Sequence, residues 1–225
     1  MNRAVQIRVA ENEMVLLPEK VVFFPGKRTL LLSDLHLGKA NHFRRAGIPV
    51  PLRANKTNLE NLISLALQHK PQRIIFLGDL FHSHYNSEWE SFGQLVQSLS
   101  DIRFELVTGN HDILSERQYV KYGIVVHEEL FLDHKILLRH EPLDASDGLF
   151  RICGHIHPAI TLRGKGRDSE TFPCFWISNN QMVLPAFGAF TGRHPVTPKK
   201  SDQIYFIAGK QVIDAASLNG VPSLE

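Results

Sequence analysis

Three short apolar runs in the first half of the chain each stop abruptly at a polar cluster. Thr29-Leu30-Leu31-Leu32-Ser33 runs into Asp34 and His36, Arg73-Ile74-Ile75-Phe76-Leu77 into Gly78-Asp79, and Ile102 to Val107 into Gly109-Asn110-His111-Asp112. The first of these runs has the pattern of a strand buried on both faces that delivers its carboxyl end to a site, the second is another such strand, and Ile102 to Val107 reads as a third. Between the first two runs Leu52, Leu59, Leu62, Ile63, Ala66 and Leu67 fall mainly three and four apart. That period predicts an amphipathic helix from Leu52 to Gln68, entered after Pro51. Trp89, Phe92, Leu95, Val96 and Leu99 mark a second helix before the third run. Strands alternating with helices predict a mainly parallel sheet with right-handed crossovers, whose functional loops gather at the strands' carboxyl ends. The three polar clusters should therefore converge.

After Tyr122 the texture changes to short β-rich runs at Ile124 to Val126, Lys135 to Leu138, Leu149 to Cys153, Phe172 to Ile177, Gln181 to Leu184 and Gln203 to Ile207. This predicts a second sheet packed on the first, with Gly164 to Asp168 and Pro195 to Ser201 as exposed loops. With 225 residues, 43% of them hydrophobic and 21% charged, the chain is expected to form one domain over residues 1–225 around a real core, not a disordered linker. A formal net charge of +2 excludes a sequence-blind electrostatic coat for nucleic acid, so any such contact must be local. No apolar run approaches the roughly 18 residues of a membrane span, and the start has no apolar leader segment, so the expected location is cytoplasmic, with no membrane partner. Cys153 and Cys174 form no CxxC pair and read as small buried hydrophobes.

The grammar of the three runs recurs further on: His140 follows another apolar strand, and Gly154-His155-Ile156-His157 follows one more. Together these strand ends supply two carboxylates, one amide oxygen and four imidazoles besides His111, enough to hold two divalent ions with one residue shared. In this order the motifs resemble the calcineurin-like metallophosphoesterases, whose pattern runs D-x-H, G-D, G-N-H-[D/E], H, G-H-x-H, here from Asp34 to His157. The resemblance implies an α/β fold of two packed mixed β-sheets flanked by helices on both outer faces, an α/β/β/α sandwich. It implies that Asp34, His36 and His157 bind a first metal, that Asn110, His140 and His155 bind a second, and that Asp79 bridges both. His111 stays free for catalysis as acid or transition-state stabiliser, and Asp112 orients its ring or, on the plainer reading, caps the next helix.

Such a site suits phosphate ester hydrolysis. Two divalent cations outweigh two carboxylates and a hydroxide, so with neutral imidazoles the site keeps positive charge for an anionic substrate. Ions roughly 3.5–4 Å apart lower the pKa of water and clamp phosphoryl oxygens, which removes the need for a Ser or Cys nucleophile. Imidazole-rich N/O ligation favours Mn, Fe, Co or Zn over Mg or Ca, and manganese is the choice by family analogy. Gly78, Gly109 and Gly154 would permit tight turns and close approach to the ions.

Ser33 to Ala40, His42 to Arg45, Gly47 to Pro51, His84 to Trp89 and Leu184 to Gly192 look like a bacterial and archaeal branch of that family, the ligase-associated DNA damage response phosphoesterases. This resemblance implies a manganese-dependent phosphodiesterase or endonuclease acting on DNA, single-stranded or damaged, linked to an ATP-dependent DNA ligase, a helicase and an exonuclease. Lys39, His42, Arg44 and Arg45 then become candidates for holding flanking phosphates, with His82 and His84 lining the cleft. Arg163, Lys165 and Arg167 form a second basic loop, and Tyr85 is placed to stack on a base, while Trp89 fits the helix core better. Two other readings compete. Ser33 to Gly38 also resembles the opening of lipid A precursor pyrophosphatases, although no apolar substrate-capturing insertion is visible. A non-catalytic interaction scaffold is disfavoured because it has no use for the non-ligand His111.

Overall fold

The N-terminal residues build an antiparallel edge that the apolar runs do not announce. Strands β1 (Val5–Val9), β2 (Asn12–Leu17) and β3 (Val21–Phe24) form a meander onto β4 (Thr29–Leu32). The β1–β2 turn is Ala10-Glu11, both at positive φ (47° and 67°), a geometry that hairpins usually assign to Asn-Gly or Asp-Gly. Without that signature the hairpin is hard to read from sequence. The chain then alternates: α1 (Arg53–His69), β5 (Arg73–Leu77), α2 (Ser87–Ser98), β6 (Arg103–Val107), a short α3 (Glu116–Val120) and β7 (Ile124–His127). The first sheet runs β1-β2-β3-β4-β5-β6-β7, parallel only from β4 to β7. The expected mainly parallel sheet is thus half antiparallel. This computed structural model describes residues 3–39, 53–164, 168–189 and 191–218, with the backbone alone for 53–56.

The second sheet has nine strands: β8 (Leu130–Phe131), β9 (Ile136–Leu138), β10 (Phe150–Cys153), β11 (Pro158–Arg163), β12 (Ser169–Ser178), β13 (Gln181–Val183), β14 (His194–Pro195), β15 (Gln203–Ala208) and β16 (Gln211–Asp214). Its order is β14-β11-β12-β13-β10-β9-β8, with β15 pairing β12 and β16. Period-2 alternation sends Leu31, Ile75, Leu77 and Val107 of the first sheet against Ile136, Leu138, Ile152 and Phe175 of the second, which closes the sandwich on an apolar layer. Leu30, Leu32, Ile74, Phe76 and Phe104 face the other way and are covered by Leu62, Leu65, Trp89, Phe92 and Tyr119 of the helices. Among the described residues, the outer face of the second sheet carries a smaller cluster of its own side chains, Ile160, Cys174, Ile204 and Phe206, against which Val196, Leu218 and the 3-10 turn at Ala215–Ser217 pack.

Trp89 is fully buried in the α2 stripe, as its spacing predicts. Asn86 caps that helix, its side chain accepting from the Glu88 and Trp89 N–H groups. Cys153 and Cys174 are buried free thiols, pushed up to about 12 by burial. Among the described residues no helix is long and apolar enough to cross a membrane.

Candidate active site and metal centre

The carboxyl ends of β4, β5 and β6 in one sheet and of β9 and β10 in the other meet at one pocket. Asp34 is buried there, its Oδ2 accepting from the Ser33 hydroxyl and from the His155 N–H (3.1 Å). Its Oδ1 lies 3.1 Å from His157 Nε2 and 3.9 Å from His36 Nε2, yet no aligned donor satisfies it. His36 Nε2 is in turn 3.4 Å from His157 Nε2 and 3.7 Å from Asp79 Oδ2. The other oxygen of Asp79, Oδ1, is 3.4 Å from His140 Nε2, which lies 3.2 Å from Asn110 Oδ1 and 3.3 Å from His155 Nδ1. His155 Nδ1 and Asn110 Oδ1 are 3.2 Å apart.

These spacings have a simple source. Two donor atoms each about 2.1 Å from one cation, at octahedral or tetrahedral angles, are roughly 3.0–3.4 Å from each other. Imidazole nitrogens and carboxylate oxygens converging at such distances, with one buried oxygen lacking a donor, fit a cation between them better than a network of hydrogen bonds. The donor atoms divide into two sets, Asp34, His36 and His157 on one side and Asn110, His140 and His155 on the other, and Asp79 turns one oxygen to each. Asp34, His36 and His157, and Asp34, Asp79 and His140, also form groups whose ligand atoms all lie within 4.8 Å of one another. All seven residues expected as ligands are therefore brought together.

The surroundings keep these groups in ligand form. Burial, with the Lys39 ammonium nearby, pushes His36 down to about 2, so its imidazole is neutral. Burial alone would raise the Asp34 carboxyl, but the adjacent His157 imidazole and the Ser33 hydroxyl hold it below its ordinary value. His140 donates from Nδ1 to the Leu77 carbonyl (3.0 Å), which leaves Nε2 with its lone pair toward the pocket.

The backbone is bent to present these side chains. Asp34, His36, Asp79, His155 and His157 all sit at positive φ, between 48° and 68°. Left-handed non-glycine residues cost about 1–3 kcal/mol each and cluster where function over-determines the backbone. Gly78, at φ 77°, follows a second rule, since a Cβ there would fall 1.9 Å from His140 Nδ1. At Gly154 a Cβ would fall 1.7 Å from Ser33 Oγ. These two glycines leave space for the ligands' supports.

His111 stands at the rim, its side chain 44% exposed and its Nε2 4.0 Å from Asp79 Oδ2, while its N–H donates to Asp79 Oδ1 (3.0 Å). The His82 ring packs on it with centroids 4.0 Å apart, so His82 does reach the cleft. Asp112 has a different task from orienting that ring. Its oxygens accept from the N–H groups of Asp79 (2.8 Å), Gly109 (2.8 Å), Leu80 (2.9 Å) and Phe81 (3.2 Å), which staples the β5 and β6 loops together. His84 is exposed, and Tyr85, also exposed, donates to Glu90 Oε1 (2.8 Å). His42, Arg44, Arg45, Lys165 and Arg167 lie outside the described residues. Lys39 is half-buried, within electrostatic reach of Asp79 and Asp34. Two supports escaped the sequence reading. The Ser33 hydroxyl, with one proton to give, lies within hydrogen-bond reach of the Leu77 carbonyl (2.8 Å) as well as of Asp34, and buried Asn58 of α1 accepts from the Ala189 N–H (3.1 Å). The available signals were a hydroxyl directly after an apolar strand for Ser33 and a polar residue on a buried helix face for Asn58.

This fold and site define a class. The model of the calcineurin-like phosphoesterase family matches residues 27–180, and the chain belongs to that family. It is a metal-dependent phosphoesterase. The structure resembles a nuclease MPE of Pseudomonas putida at 25% sequence identity and a TM-score of 0.78, covering 94% of this chain and all of that one. More distant likenesses are a protein of unknown function, AQ665, from Aquifex aeolicus (21% identity, TM-score 0.43, 62% of this chain and 82% of that one) and the E. coli phosphoesterase YfcE (14%, 0.42, 79% and 87%). No curated protein matches the sequence.

Proposed function

We propose that this chain is a binuclear-metal phosphodiesterase that cleaves DNA within the strand, with manganese as its working metal. The observation that carries the reading is the pair of donor sets joined through the two oxygens of Asp79, beside an exposed histidine that belongs to neither. Asp34, His36 and His157 would hold one ion, Asn110, His140 and His155 the other, and Asp79 both. When bound, the ions supply Lewis acidity toward phosphoryl oxygens and acidify water. The chain's own residues do the rest. His111, next to Asp79 and open to the cleft, gives a proton to the leaving oxygen, and the packed His82 ring restrains its rotation. Asp112 holds the two loops at a fixed distance, so that Asp79 and Asn110 keep their spacing. The half-buried Lys39 adds positive charge for a polyanionic strand. The likeness to a nuclease supports a nucleic-acid substrate.

The test is to incubate metal-stripped protein with closed circular single-stranded DNA, with and without Mn²⁺. Linear product that requires both Mn²⁺ and His111 is expected, since a circle offers no ends. Intact circles alongside a hydrolysed small phosphodiester would replace strand cleavage with a small-molecule substrate.

A further inference from the structure

Beside His157 lies a recess of about 80 Å³, walled also by Lys20, Gly188, Thr191 and Arg193. Neither cation belongs to the donor sets above. Lys20 closes the β2–β3 turn at φ 67°, a backbone position more usual for glycine. Its Nζ reaches the Phe187 carbonyl only at 3.5 Å, the long limit of a hydrogen bond. Arg193 donates from Nη1 to the Thr171 carbonyl (2.7 Å), which anchors the guanidinium while leaving further N–H donors. Among the described residues no carboxylate pairs with either. Burial and the Arg193 charge together push the Lys20 amino group down to about 8. Two cations gathered without an anion repel each other, and a bound anion reverses the sign of that interaction.

The wall of the recess is fixed to the metal centre. Phe187 donates its N–H to the Ser33 carbonyl (2.8 Å) and Gly188 its N–H to the Asp34 carbonyl (3.1 Å), so Lys20 is referenced to the strand end that carries Asp34. On the other side His194 donates its N–H to the His157 carbonyl (3.0 Å), which places Arg193 next to a second metal-ligand candidate.

We propose that the recess seats, through Lys20 and Arg193, the phosphate that adjoins the scissile one in a polynucleotide strand. The proposal rests on the phosphodiesterase reading above and adds a substrate requirement to it, a second phosphodiester on one side of the cut. Two measurements separate the two ideas. The first is binding of a fluorescent twelve-residue oligothymidylate in EDTA, where nothing is cut. Lys20→Gln and Arg193→Gln should each weaken it about tenfold and lower the slope of log affinity against log salt by roughly 0.7, one single-strand phosphate. Lys20→Arg should restore most of the affinity. The second is Mn²⁺-dependent cleavage of the same oligonucleotide and of the dinucleoside monophosphate dTpdT, which has no adjoining phosphate. The variants should lose at least tenfold more kcat/KM on the long substrate than on the short one. Unchanged binding and salt slope in the double variant, or equal losses on both substrates, would overturn the proposal. If the wild-type protein cuts neither substrate, the function assigned above fails, while the binding measurement still decides whether the recess holds a strand phosphate.

Discussion

The first sheet buries carboxylates in two places, and their surroundings are opposite. Glu105 of β6 is fully buried yet complete: Arg73 Nε lies at 2.7 Å and Arg103 Nε at 3.1 Å from Oε1, and His127 Nε2 at 2.9 Å from Oε2. Asp34 and Asp79, at the carboxyl ends of neighbouring strands, face imidazoles and an amide, with Asp34 Oδ1 buried and unsatisfied. A buried carboxylate needs a cation. At Glu105 the chain supplies guanidinium groups in direct contact, whereas around Asp34 and Asp79 the contacting groups are lone pairs and Lys39 acts only at a distance, which leaves the contacting cation to come from outside. The difference between a structural ion cluster and a candidate reaction centre is thus the source of the countercharge.

That contrast can be broken experimentally. Asp79→Asn should cost the largest effect, at least about 10³-fold in turnover, because one side chain serves both donor sets. Metal analysis by mass spectrometry should show bound metal lost as well. His111→Ala should lose about 10²- to 10⁴-fold in kcat with bound metal unchanged, and normal turnover would remove its proposed role. In stability the order reverses. Glu105→Gln should destabilise the metal-free protein by about 2 kcal/mol in urea melts, since it removes the charge that Arg73 and His127 contact from the sheet's edge. Asp79→Asn in the same metal-free protein should shift stability by less than about 1 kcal/mol, because the chain cation that faces Asp79, Lys39, is only half-buried and keeps Asp34. Equal losses for the two would erase the distinction.

Adding metal should raise the wild-type melting temperature, by about 2.7 kcal/mol of stabilisation at a hundred times the dissociation constant. The Glu105→Gln protein should gain as much. The smallest effect is in pH. Burial opposes ionisation of Glu105, but Arg73, Arg103 and His127 hold its carboxyl below the ordinary range. A lowered folded value means stability present above the unfolded value, roughly 4.3, and lost as pH falls through the folded one. The gap between wild type and Glu105→Gln should therefore close only below about pH 4, and a gap that persists undiminished well below that would break the assignment.

Much of this was legible from the chain. The runs ending at Leu32, Leu77 and Val107 are strands within a residue of their expected limits, and the helix expected from Leu52 to Gln68 is observed at Arg53–His69. The seven metal-capable residues were readable because each follows an apolar run, and a sheet of such strands can only gather their carboxyl ends. The N-terminal meander was missed, although Val5, Ile7 and Val9 alternate in period 2, because its Ala10-Glu11 turn has no glycine or asparagine to announce it. Strand β11 was missed because it begins directly at Pro158, inside the reach of the preceding histidine motif.

By itself, then, the sequence determined which side chains meet and in what order, since periodicity and strand ends are local properties. Only the tertiary structure decided where individual atoms point. The left-handed backbone at five of the ligand candidates, the turning of Asp112 to four amide N–H groups, the guanidinium partners of Glu105 and the pairing of Lys20 with Arg193 across the recess all depend on neighbours distant in the chain. Local propensity opposes or ignores each of them, and packing between the two sheets supplies the free energy that holds them in place.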